Sequence, residues 1–288
     1  MSIFDLLNTQ GQISRTSITN KDMAQEPNSQ KQVSMFLTNR LEKKRWMLLF
    51  AVILMNIANG FSWTMYGAIQ DIAKKYININ SDQLGILPEI YFWCYIIGGL
   101  PIILMTQWSL YFTLFSGAIL SVVGGAMKLF WGENFTAVCI GQILLGIAQN
   151  SIYTTPVAFS FRWFSEKEAN PVISLIYYSN SLGVSLGFLI PSILTKIYDK
   201  TSESEWTQII VISNWILFIM TILPPIIFVI FCREQPRFPP SKYAVFKKIE
   251  FGKSCRILFR NKSYMVGVLL GSIGLGIFWG FTGQNATF

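Results

Sequence analysis

The 288-residue chain contains no histidine. That removes the usual imidazole ligand of haem, zinc or copper, and the side chain most often used to relay protons near neutral pH. Charge is scarce as well: Asp, Glu, Lys and Arg make up 13% of the residues, against 52% hydrophobic and 15% aromatic, and the mean hydropathy is +0.43. A water-exposed surface needs far more charge than this, so lipid is the solvent that the composition fits. The four cysteines, Cys94, Cys139, Cys232 and Cys255, stand singly, and without paired spacing they indicate neither a disulfide framework nor a zinc site. There is no phosphate-cradling glycine-rich loop, no histidine base and no carboxylate pair within one apolar stretch, so neither catalysis nor a cofactor is expected. The N-terminus also lacks a basic stretch followed by a short apolar core, and no cleavable signal peptide is visible.

What the chain does have is seven apolar stretches near 46–68, 84–105, 111–131, 136–160, 171–194, 208–232 and 264–286. A helix needs about 20 apolar residues to cross a hydrocarbon layer of about 30 Å, so an all-α, polytopic membrane bundle is expected. Residues 1–45 are polar and read as a disordered cytosolic arm, 46–232 as a six-helix bundle, 233–263 as a basic cytosolic connector and 264–288 as a seventh span. Lys and Arg pile up on alternate sides. Eighteen of them fall in the arm, after span four and in the connector, against four in the loops around Lys74 and Lys196, which places the N-terminus in the cytosol. The net charge of +8 therefore speaks for membrane orientation and anionic headgroups, not for nucleic acid, and no DNA-reading motif accompanies it. In the connector, Lys247-Lys248-Ile249-Glu250-Phe251 predicts a surface helix against those headgroups, or a basic linker that only enforces topology. Two glycine pairs, Gly183 with Gly187 and Gly276 with Gly280, predict close helix approach.

Six spans, a long connector and a seventh span match one half of a major facilitator transporter plus the start of its second half. Particular strings narrow this. Span four carries Gly141-Gln142, Ala148-Gln149, Pro156 and Trp163-Phe164, and span five carries Asn180, Leu182-Gly183, Gly187-Phe188 and Pro191. With Asn59-Gly60-Phe61-Ser62-Trp63-Thr64-Met65-Tyr66-Gly67 in span one, Tyr91 to Pro101 in span two, and Glu234-Gln235-Pro236 in the connector, they resemble the feline leukaemia virus subgroup C receptor family. That resemblance implies facilitated transport of choline or ethanolamine and, more contentiously, of haem. One departure is the loop Thr106–Tyr111, which holds no charge where such facilitators usually carry acidic and basic residues. Another is that the chain covers seven of the family's twelve spans.

The resemblance also implies a site. A quaternary ammonium cannot donate hydrogen bonds and is best held by aromatic faces, each worth about 0.5–2 kcal/mol when desolvated. Trp63 aligns with the span-one aromatic of such a cage, and Trp279 with its second aromatic, usually a tyrosine. Gln149 aligns with a polar handle for the alcohol or amine end of the ligand, with interhelical bonding as the alternative. Asn180, Asn59 and Tyr66 read better as structural hydrogen bonders, although Tyr66 and Asn180 stand among the candidate binding residues. Glu89 and Lys128 are the two formal charges within spans. For Glu89 the expectation is a hydrated vestibule charge that attracts cations; for Lys128, near the end of span three, it is a stem that snorkels to water. Asn134-Phe135-Thr136 is a formal glycosylation triplet on a loop too short for occupancy. The leading expectation is thus a carrier of a small organic cation embedded in the bilayer. The alternatives are a haem carrier, ligated if at all by tyrosine or cysteine, and a non-transporting truncated or scaffold protein that pairs with a second half-transporter subunit or lacks its C-terminal half.

Overall fold

The computed structural model describes residues 42–198, 203–231, 236 and 251–285, with 203, 204, 251, 254 and 278–285 described as backbone only. Residues 1–41 of the expected N-terminal arm, and the surface helix expected at 247–251 up to its last residue, lie outside that range, while Lys44 and Arg45, expected at the end of the arm, already belong to the first helix. Among the described residues the secondary structure is entirely helical. In chain order the helices are α1 (Lys44–Thr64), α2 (Gln70–Ile77), α3 (Ser81–Trp108), α4 (Leu110–Phe130), α5 (Phe135–Thr154), α6 (Pro156–Trp163), α7 (Glu166–Ile197), α8 (Glu203–Phe231), α9 (Phe251–Arg260) and α10 (Lys262–Asn285). Among the described residues six stretches are long and apolar enough to cross a membrane: Lys44–Ile77, Ser81–Trp108, Leu110–Phe130, Phe135–Thr154, Glu166–Ile197 and Glu205–Phe231. They coincide with the first six expected spans, and α10 covers the seventh apolar stretch as a helix.

Local chemistry sets the boundaries. A 3-10 turn, Gly67–Ile69, carries α1 on into α2, which stops at Asn78 in the left-handed conformation, φ 56°. Asn80 and Gln83 then form a reciprocal capping box that opens α3: Gln83 N–H donates to Asn80 Oδ1 at 2.8 Å, and Asn80 N–H to Gln83 Oε1 at 3.1 Å. Asn134 caps α5 by accepting from the backbone N–H of Thr136 at 2.9 Å and of Ala137 at 3.4 Å, so the glycosylation triplet serves here as a helix start. Span four is not continuous. It breaks at Thr155, and Pro156, which needs no backbone donor at a first helical position, opens α6.

The most deeply buried of the six spans is the first, and α1 packs chiefly against α7 and α8. Lipid tails are as apolar as leucine, so helices associate in a bilayer through close packing and interhelical hydrogen bonds rather than through a hydrophobic drive. The α1–α7 crossing uses both. A Cβ built on Gly60 would lie 2.8 Å from Val184 N, one on Gly183 2.8 Å from Ile57 Cα, and one on Gly187 2.8 Å from Phe61 O. Thr64 Oγ1 donates to Val184 O at 3.1 Å, and Asn180 Nδ2 to Asn56 O at 3.2 Å. At the N-terminal end of α1, Arg45 makes a bidentate pair with Glu168 of α7 at 2.7 and 2.9 Å, its guanidinium lying over the rings of Trp46 and Phe164. Gly183 and Gly187 thus do what their spacing predicts. Among the described residues nothing lies within 4 Å of a Cβ built on Gly276, and the same holds for Gly267, Gly271 and Gly274.

Replacing Gly183 by Val forces the α1–α7 backbones apart and is expected to lower stability by about 1–3 kcal/mol. Gly274→Val, on the open face of α10, is expected to change it by less than about 0.5 kcal/mol. Thermal unfolding of the detergent-solubilised variants checks both.

Candidate functional site

The last turn of α1 and the turn after it bring Trp63 and Tyr66 to a pocket against α3 and α5, lined also by Gly67, Leu84, Leu87, Pro88 and Gln142. The pocket as it stands holds little more than one water molecule. Trp63 is half-buried; its indole N–H donates to the Pro88 carbonyl at 3.2 Å, and its ring meets Phe92 edge-on at 6.1 Å. Tyr66 is 3% exposed, and its buried hydroxyl faces the Asn214 side chain of α8. Two of the candidate residues therefore share one wall.

Behind that wall lies a polar cluster centred on Lys128, which is 0% exposed. Its ammonium donates to Ser62 Oγ at 2.9 Å, to Gln142 Oε1 at 3.1 Å and to Ser62 O at 3.4 Å, and sits 4.5 Å from the centroid of the Tyr66 ring. The Tyr91 hydroxyl donates to Ser62 Oγ at 3.1 Å, and Gln142 Nε2 to the Leu87 carbonyl at 3.3 Å. Four spanning helices, α1, α3, α4 and α5, thus meet at one amine. Among the described residues no carboxylate forms an ion pair with it.

Lys128 accordingly does not snorkel to water. Its position two residues before the end of α4 predicted an exposed head, but the bundle continues past that level. Ile72 of α2 and Ile209 and Ile210 of α8 belong to the same core as Tyr66, Leu87 and Tyr91. Gly141 on α5 leaves room for the stem, since a Cβ there would lie 2.8 Å from Lys128 Cγ. Lys128, Ser62, Tyr91 and Gln142 were all missed as functional candidates. The signal that finds them is the Gly141-Gln142 pair on one helix, a space and an acceptor, at the depth of a lone intramembrane cation.

The other candidates lie elsewhere. Gln149 is on α5, seven residues and about 10 Å beyond Gln142, and does not line the Trp63 pocket. Its side-chain oxygen is buried and, among the described residues, accepts no hydrogen bond. Asn180 bridges helices: besides its bond to Asn56, its Oδ1 accepts from the Tyr153 hydroxyl at 2.9 Å. Asn59 Nδ2 donates to Leu145 O at 3.2 Å, tying α1 to α5. Both act as the interhelical glue read from the sequence. Glu89 is exposed on α3 beside the pocket-lining Pro88 without lining the pocket itself. Trp279 lies on α10, and its side chain is outside the described residues. Among the described residues no group of three or more potential metal ligands gathers.

An amine held by three neutral oxygens is sensitive to the loss of any one of them. Gln142→Leu, which strips Lys128 of an acceptor, is expected to cost about 1.5–3 kcal/mol. Lys128→Met takes the donor from Ser62 and Gln142 but leaves no buried charge, and the Ser62–Gln142 and Tyr91–Ser62 hydrogen bonds remain, so it is expected to cost less, under about 1.5 kcal/mol. Thermal unfolding in nanodiscs measures the contrast.

Residues 36–287 match the Major Facilitator Superfamily. Choline/ethanolamine transporter FLVCR2 of Rattus norvegicus is 26% identical over 253 residues, a match covering 83% of this chain and 45% of that protein. Choline/ethanolamine transporter FLVCR1 of Felis catus is 25% identical over 257 residues, covering 83% and 44%. The chain therefore spans about half the length of the relatives it matches. Among solved structures, the bacterial homologue of the human lysosomal transporter Spinster, inward-facing and unoccupied, superposes with a TM-score of 0.53 at 16% identity, over 74% of this chain and 47% of that one. The fold is shared with that transporter, and the relatives bear out the resemblance drawn from the motifs of spans one, two, four and five. With a superfamily match across nearly its whole length and six membrane-crossing helices, the chain belongs to the Major Facilitator Superfamily.

Proposed function

We propose that this protein carries a small organic cation of the choline or ethanolamine class across a membrane, without covalent chemistry. The observation that carries the reading is Trp63: a half-buried indole on the central helix, at the edge of a pocket, in a chain whose relatives include proteins named choline/ethanolamine transporters. An indole face stabilises a cation that has no hydrogens to donate, and the stabilisation grows as water is removed. Gln149 supports the reading from further along α5: among the described residues its buried oxygen has no donor, so it is an acceptor for a hydroxyl or ammonium further along the path. Trp279 is proposed as the second aromatic wall, on the alignment alone.

The pocket is too small for a trimethylammonium group as it stands. Trp63 holds α1 to α3 through the Pro88 carbonyl, so the cation enters when α3 moves away from α1 and this bond opens. In alternating access one bundle rocks against another; the described bundle supplies one wall of the path. A second bundle, on the same or another chain, supplies the other.

Choline uptake by cells lacking their own choline carrier checks this proposal. Trp63→Leu is expected to cut uptake about 5- to 30-fold at unchanged surface abundance, the loss of one desolvated cation–π contact, while Trp63→Phe retains part of it. Equal uptake in all three would remove Trp63 from the site.

A further inference from the structure

Lys128 places a positive charge, or the capacity for one, directly behind the wall that would receive a cation. Tyr66 and Gln142 both line the pocket and both contact the Lys128 amine, at 4.5 Å from the ring centroid and 3.1 Å from the amide oxygen. We propose that an organic cation in the Trp63–Tyr66 pocket and a proton on Lys128 exclude each other, so that binding of the cation expels a proton from the amine to solvent. The inference rests on the cation-binding reading above and adds to it an exchange of cation for proton.

Three features of the geometry support it. The first is competition for partners: Tyr66 offers one ring quadrupole and Gln142 one carbonyl oxygen, and the protonated amine draws on both. The second is repulsion. A ligand cation in contact with the Tyr66 ring would lie no more than roughly 10 Å from the amine, and two unit charges at that separation, at an effective dielectric of about 20, oppose each other by a factor of at least roughly 15 in affinity. The third is that the cluster tolerates both states. A neutral amine still has two N–H donors, enough for Ser62 Oγ and Gln142 Oε1, so losing the proton does not break the junction.

Among the described residues nothing else facing the amine holds that proton in place. From α1 it meets Ser62, from the residues just after α1 Met65 and Tyr66, from α5 Gln142, and Tyr91 of α3 reaches it through Ser62. Asn214 of α8 donates to the Lys128 backbone carbonyl at 3.0 Å. The titratable members of this shell are the phenols of Tyr66 and Tyr91, which are protonated and uncharged near neutral pH. Lys128 is then the group whose charge can change when the pocket fills. In the exchange the amine passes from the ammonium to the neutral form, one proton leaves to water, and one organic cation takes its place, so net charge in the site is conserved.

The test measures binding of radiolabelled choline by the purified chain in nanodiscs at pH 6 and pH 9. For the unaltered chain the affinity is expected to be at least about tenfold tighter at pH 9. Lys128→Met is expected to bind tightly at both values, with the dependence lost; Lys128→Gln, a second neutral variant, should do the same. Lys128→Arg, which keeps the charge, should bind weakly at both. A pH dependence that persists in the Met and Gln variants overturns the inference while leaving cation binding intact, as does binding that is independent of pH in the unaltered chain. Absence of choline binding in the unaltered chain and in every variant overturns the cation-binding reading itself, and the exchange with it.

Discussion

A hydrocarbon layer offers no hydrogen bonds, and every buried polar group in this bundle must therefore find its partner on another helix or on its own backbone. The amine of Lys128 is the extreme case. Holding it requires oxygens from α1 and α5, a ring from the turn after α1, and a hydroxyl on α3 that orients the serine it bonds to. These demands fix the mutual height of four helices at one level of the bundle. Gly60, Gly183 and Gly187 then fix how close α1 lies to α7, while Asn59 and Asn180 lock α1 to α5 and α7 through backbone carbonyls. The central helix is held on three sides by contacts that lipid cannot supply.

The same arrangement shapes the candidate site. Trp63 faces α3 because Ser62 beside it is committed to Lys128, and because the indole N–H is satisfied by a carbonyl of α3. The pocket lies between helices with different degrees of anchorage. The span containing α1 is the most buried of the six and that of α3 the least, with Trp93, Ile96, Ile97 and Trp108 all exposed. α3 packs chiefly against α5 and meets α1 at few places, so on the proposed reading it is α3 that separates from α1 to open the site.

The chain of apolar stretches made the six spans legible, since length and apolarity are what a bilayer selects. The motifs around Trp63, Gly141-Gln142 and Asn180 made the superfamily legible. The site was legible in part. Trp63 and Tyr66 meet at one pocket, and Asn59 and Asn180 serve as structural bonds, as the cost of an unpaired amide in lipid requires. Gln149 was placed correctly within a span but lies two turns from that pocket, a separation that alignment by motif does not reveal. Lys128 was misread because distance from a helix end was taken as distance from water. The α1 chain does not stop where its apolar run does; it turns at Gly67–Ile69 and continues as α2, and with the start of α8 it adds a layer of core above the lysine. Burial there is a property of three neighbouring elements, and no periodicity within α4 records it.

On the proposed reading a cation is held against Trp63, with Lys128 behind the same wall. An electron cryomicroscopy map of the protein in nanodiscs with choline is the decisive measurement. Density for a trimethylammonium group is expected within about 6 Å of the Trp63 ring and against Tyr66. Trp63 turned toward the acyl chains, with ligand density elsewhere in the bundle, would contradict it.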